Sequence, residues 1–190
     1  MNAILPILES TRHKISFDEL MNLVDAGFFA DPSRIELIDG VITEMPHEGF
    51  GHMDVKNAIA EWLIRTLPKA YRAMIDTTVQ LSPHDAPSPD AWIYERAKPL
   101  RELKGSDILL IIETADSSLE KDRGVKAPLY ARFGIQEYWI VDIEKDEILV
   151  YRPAGEGGYG APEVVPASQT VACASLPGLS LKLADLPRTT

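Results

Sequence analysis

Apolar positions along the chain switch between a period near 3.6 and a period of two, and the order of the switches predicts the elements. From Ser16 to Ala26 they recur at helical spacing behind Ser16 and Glu19, an S-x-x-E pair whose hydroxyl and carboxylate can bond each other's backbone N–H. Gly27 closes that helix. Arg34-Ile-Glu-Leu-Ile and Val41-Ile-Thr-Glu-Met flank Asp39-Gly40, the pattern of a two-residue β-hairpin. Val55, Ile59, Trp62, Leu63 and Leu67 predict a second helix from His52 to about Leu67, stopped by Pro68. Residues 71–81 and 89–94 read as strands around a proline-bearing loop, 82–88. The run from Asp107 to Glu113 is apolar at successive positions, which places it in the sheet centre with both faces covered. Ser117 and Glu120 make a second capping pair, opening a helix to Phe133 with Gly134 just beyond. Pro128 inside it should kink it or cost about 3 kcal/mol, eased by Gly124 at the crowded position. Residues 137–142 and 147–151 read as strands, followed by a glycine-rich tip at 153–160, a last hairpin around 163–171 and a tail at 179–186. This order predicts an α/β fold, a mixed sheet with helices on its faces, preceded by a helix and a hairpin.

A length of 190 residues fits a single domain, 1–190, with residues 1–14 as an arm and 16–186 as the folded part. A lone cysteine, Cys173, excludes an intrachain disulfide and a cysteine-based zinc site, and points to a reducing, cytoplasmic setting. The first residues carry no basic segment ahead of their apolar ones and no apolar run is long enough to span a bilayer, so neither a secretory signal nor a membrane partner is expected. A net charge of -10 argues against a domain coated to hold phosphates. From Arg96 to Arg132, however, eight Lys/Arg face six acids, so this window is +2 and the remainder -12. A polyanion can be held there with strong salt dependence.

The helix after Ser117 carries the candidate chemistry. At 100° per residue Lys126 falls inside the apolar stripe of Leu119, Leu129, Tyr130 and Phe133, whereas Lys121 falls on the opposite face. An ammonium drawn inward needs carboxylates. Asp122 is one turn away, and two sheet residues are better placed: Glu113, ending the buried strand, and Asp90, after Pro89. Taken singly, Lys126 could snorkel to water, Glu113 could cap the next helix and Asp90 could be a turn residue. Taken together, two carboxylates at strand ends with an inward lysine can hold a hard divalent cation and position a hydrolytic water.

Pro89-Asp90, Glu113 and a lysine resemble the PD-(D/E)XK nuclease superfamily, with the lysine moved from its usual slot, here Ala115, to the following helix. More narrowly, Glu36-Leu-Ile-Asp-Gly40, His52, Pro89-Asp90, Glu113, Asp122-x-x-x-Lys126-x-x-Leu129-Tyr130-Ala131-x-x-Gly134-Ile135-x-Glu137-Tyr138-Trp139-x-Val141-Asp142 and Leu176-Pro-Gly-Leu179 resemble the family known as Uma-two, catalogued as putative restriction endonucleases. The resemblance covers residues 16–186. It implies a restriction-endonuclease-like fold and cleavage of DNA, with magnesium or manganese as cofactor. It further implies Asp90 and Glu113 as metal ligands with the Thr114 carbonyl as a third, Lys126 as the catalytic lysine, Glu36 as a further acid, and a possible homodimer. His52 would touch phosphate or a metal-held water from a helix N-terminus; its ordinary reading is a polar first-turn residue. Where the family commonly has a Ser-Pro turn, this chain has Thr114-Ala-Asp-Ser-Ser118, which adds the charge of Asp116. A chain that keeps the fold but only binds, or acts on another phosphodiester, is the alternative. Trp62, Tyr138, Trp139 and Cys173 read as core, and His13, His47 and His84 as surface.

Overall fold

The computed structural model describes residues 12–155 and 158–189, so most of the arm expected at 1–14 lies outside the described residues. They group into two compact units, residues 12–47 with 78–88, and residues 48–77 with 89–189.

In the first unit, α1 (Phe17–Asp25) starts at Ser16, whose Oγ accepts the Glu19 N–H at 3.2 Å while Glu19 Oε2 accepts the Ser16 N–H at 2.7 Å. Strands β1 (Ile35–Ile38) and β2 (Val41–Glu44) pair antiparallel around Asp39 (φ 51) and Gly40 (φ 72). Two consecutive left-handed residues are what a type I′ turn needs. Leu20, Ile35, Leu37 and Ala86 form this unit's core.

The second unit opens with α2 (Phe50–Thr66), two residues earlier than its apolar spacing indicates. A six-stranded sheet follows in the order β3-β4-β5-β6-β7-β8: Tyr71–Ile75, Ala91–Glu95, Ile108–Ala115, Tyr138–Asp142, Glu147–Tyr151 and Glu163–Pro166. Pairing is antiparallel except between β5 and β6, so the sheet is mixed, as expected. All eight residues of β5 are buried, in keeping with its continuous apolar run. Each of its fully buried Ile and Leu side chains stabilises the fold by about 1.5–3 kcal/mol. Trp139 and Tyr138 are wholly buried, Trp62 stacks on Trp139 at 6.5 Å between ring centres, and Cys173 is buried.

Four expectations change. The strand read over 71–81 ends at Ile75, where Asp76 takes φ 48 and turns the chain. The last hairpin does not form: β8 joins β7, while β9 (Thr170–Ala172) pairs with β10 (Ser180–Lys182). The helix after Ser117 is not continuous α. A short turn, α3 (Leu119–Lys121), leads into a π-turn over Asp122–Lys126, where the Ala127 N–H reaches the Asp122 carbonyl, and then into α4 (Ala127–Arg132). Pro128 has no N–H to return to the Gly124 carbonyl, and the wider turn accommodates that loss. Nor does a capping box form there: Ser118 is the N-cap, and its hydroxyl donates to Asp122 Oδ2 at 2.6 Å.

Candidate active site

Strand register decides which carboxylates meet. Ile75 pairs with Ala91, and Ala91 with Ile112, so one step further Asp76, Asp90 and Glu113 stand side by side across β3, β4 and β5 at one end of the sheet. The backbone holds the row together: the Asp76 N–H donates to the Asp90 carbonyl at 3.0 Å, and the Thr114 N–H donates to Asp90 Oδ2 at 2.6 Å.

Lys126 reaches this row from the π-turn. Lys126 is 5% exposed, and its ammonium donates to Glu113 Oε1 at 2.8 Å, with Asp122 Oδ1 3.6 Å away. The Tyr130 hydroxyl donates to the same Glu113 oxygen at 3.0 Å. In a π-turn residues four apart lie almost in line along the helix, so Asp122 and Lys126 share the inner face. Burial pushes the Glu113 carboxyl up to about 8; the Lys126 charge opposes this, and the charges of Asp122 and Asp90 reinforce it. Burial also raises Asp90, against the Thr114 hydrogen bond and the nearby charges of His52, Lys56 and Lys126. The Tyr138 phenol is raised by burial and by Glu113 and Asp122, so it stays a donor.

His52 lies in the first turn of α2 and its Nε2 is 2.7 Å from the Thr114 carbonyl, the atom expected as a third metal ligand, and 4.0 Å from Asp90 Oδ2. That contact fixes the Nε2–H tautomer, since a carbonyl can only accept. Glu36 lies fully buried on β1 in the first unit, and the cluster just described is assembled from residues of the second. Asp116 is exposed.

Two acids and a lysine in this region carried no signal in the linear sequence. Glu48, Asp76 and Asp90 each bring a carboxylate oxygen within 4.8 Å of the others, close enough to share a metal ion. Lys56, one turn after His52 on α2, donates to Glu48 at 2.6 and 2.7 Å and lies 3.0 Å from Asp76. Burial opposes its charge, but the bonds to Glu48 and Asp76 prevail and its pKa is raised. Asp76 was hidden inside an apparently longer strand, although aspartate is among the residues that tolerate its left-handed backbone.

The donor set fits a hard divalent cation. It is all oxygen, comprising carboxylates and a backbone carbonyl, and burial has left them short of compensating positive charge. Buried polar atoms without a hydrogen-bond partner among the described residues include Asp122 Oδ1, Thr114 Oγ1 and His52 Nδ1, all on residues that contact this cluster. The basic window at 96–132 is less available than its count implies. Arg96 is spent on the carbonyls of Lys69 and Tyr71, Lys98 on Asp107, and Lys126 on Glu113.

A family model described as Uma2, putative restriction endonuclease, matches residues 17–184. The chain belongs to this family. A solved structure described as a putative nuclease belonging to DUF820 from Anabaena variabilis is similar over 90% of this chain and 96% of that one, at a TM-score of 0.69 and 18% identity. At that identity the likeness establishes the nuclease-type fold. No curated protein matches the chain. Among the described residues no helix is long and apolar enough to cross a membrane.

Proposed function

We propose that this Uma2 protein is a metal-dependent endonuclease that hydrolyses DNA phosphodiester bonds by a PD-(D/E)XK-type mechanism. The observation that carries the reading is the buried Lys126 ammonium, 2.8 Å from Glu113 at the sheet end where Asp90 comes alongside. Asp90, Glu113 and the Thr114 carbonyl would hold magnesium or manganese. When bound, the cation would neutralise the phosphodiester's charge and acidify a water.

The chain's own residues do the positioning. Lys126 offers its ammonium protons to the attacking water and orients its lone pair toward phosphorus. Tyr130 and Lys126 share one Glu113 oxygen, which fixes the carboxylate's plane. His52 and Asp90 grip Thr114 through its carbonyl and its N–H, which aims the strand end at the substrate. Asp122, itself oriented by Ser118, backs the lysine from the far side.

Cleavage of supercoiled plasmid and labelled single-stranded DNA, in magnesium, manganese or EDTA, tests this for wild type, Asp90→Ala and Lys126→Ala. Metal-dependent cutting lost in both variants is the expected result. Equal behaviour of all three would favour a second reading, a binding protein on the same fold. The -10 charge favours that reading.

A further inference from the structure

Asp90 belongs to two groups at once. On one side it stands beside Glu113, the partner of Lys126; on the other it closes the Glu48–Asp76–Asp90 triangle. Two-metal phosphodiester sites are built in this way, with two ions about 3.5–4 Å apart. Here the second position has an occupant from the chain. The Lys56 side chain is 13% exposed, against 36% for Glu48 and 55% for Asp76, so the lysine is the more shielded partner in both ion pairs. Both Glu48 oxygens accept from it, and Asp76 adds a third contact from a residue held at φ 48. His52 and Lys56 are four residues apart on α2, so one helix face serves the whole carboxylate row.

We propose that Lys56 is a built-in cation that takes the place of a second divalent ion on the Glu48–Asp76 side of Asp90, leaving the site to work with a single ion beside Glu113. This rests on the metal-dependent reading above. A tethered ammonium supplies one positive charge without the ligand geometry an ion demands, and it cannot diffuse away. A surface ion pair of the same residues would have no bearing on metal stoichiometry, and that difference makes the proposal testable.

The experiment is calorimetric titration of manganese into the full-length, EDTA-treated protein, with far-UV circular dichroism to verify folding. Wild type should take up one ion, Lys56→Met two, and Lys56→Arg, which restores the cation, one. Adding Glu48→Gln to Lys56→Met should return the count to one, and adding Glu113→Gln to Lys56→Met should remove the original ion and keep the new one. Should Lys56→Met not fold, Lys56→Gln carries the same comparison. Two ions in wild type, or a count of one in a folded Lys56→Met or Lys56→Gln, would overturn the proposal. A wild type that binds none while Lys56→Met binds one would instead overturn the metal-dependent reading and support the exchange of Lys56 for an ion.

Discussion

Replacing Lys126 by methionine nearly keeps the length of the side chain and removes its charge from a site where the residue is 5% exposed and its ammonium faces Glu113 at 2.8 Å and Asp122 at 3.6 Å. Deleting one partner of a buried ion pair costs about 3–5 kcal/mol, because the other charge remains buried without compensation. For a chain of this size 1 kcal/mol moves the melting temperature by roughly 2–4 °C, so above pH 8, where Glu113 is ionised, Lys126→Met should melt on the order of 10 °C lower than wild type. The cost should depend on pH. Glu113 has its folded pKa raised to about 8 from an ordinary 4.5, so the folded state holds a proton that the unfolded state gives up between those values. Its contribution to stability is therefore full below 4.5 and is lost as the pH rises toward 8, and the variant, without the Lys126 charge, should lose more over that interval. Glu113→Gln combined with Lys126→Met removes both charges and should recover part of the deficit. Thermal melts in EDTA at pH values on either side of this window measure all three. A single variant that melts within 1–2 °C of wild type above pH 8, roughly the effect of an exposed ion pair, would refute the buried-pair reasoning.

Other consequences follow from the same geometry. Magnesium or manganese should raise the melting temperature of wild type, most above pH 8, where Glu113 has lost its proton and the cation need not displace it; an equal shift in Asp90→Ala would place the ion elsewhere. Glu137→Gln should lower stability by about 3 kcal/mol and leave kcat at low temperature unchanged. Its carboxylate accepts from Trp139, Arg152, Ala174 and Ser175, none of them in the group around Asp90, Glu113 and Lys126. The Cys173 thiol, raised to about 12 by burial, should resist thiol reagents until the chain unfolds; fast labelling of the native protein would contradict its packing. Gly105→Ala should destabilise strongly in a urea melt, because its Cβ would lie 2.4 Å from the Phe133 carbonyl oxygen.

Local signals were legible in the chain because their physics is local. The Ser16–Glu19 box, the Asp39-Gly40 turn and Gly134 at φ 74 each depend on neighbours within a few residues, and each appears where the pattern places it. The apolar run of β5 marked the sheet centre, since a strand covered on both faces has no polar side to show. The position of Lys126 within an apolar stripe was enough to turn it inward, although the turn that carries it is π and not α. Pro128 marked the disturbance but not its form, because the missing hydrogen bond can be met by a kink or by a wider turn, and packing of both helix ends chooses between them.

Tertiary structure alone decided what depends on register and on distant partners. Asp76 joins Asp90 and Glu113 only because three strands align at one end, and a shift of one residue in any pairing would send its carboxylate to the other face. Glu48 and Lys56 enter the same region from α2, and neither sits in a pattern that announces a ligand. Ser118 could serve a backbone amide or Asp122 with equal chemistry; the approach of the π-turn to β5 settled it on Asp122. Composition counted a basic window, but only the fold shows that Lys126 is buried against Glu113 while Arg96 and Lys98 stay at the surface, paired with the Lys69 and Tyr71 carbonyls and with Asp107. The sequence by itself therefore determined most of the elements and singled out Asp90, Glu113 and Lys126 as candidates, through short-range pattern and residue type, while the arrangement of charges around them was set by pairings between residues far apart in the chain.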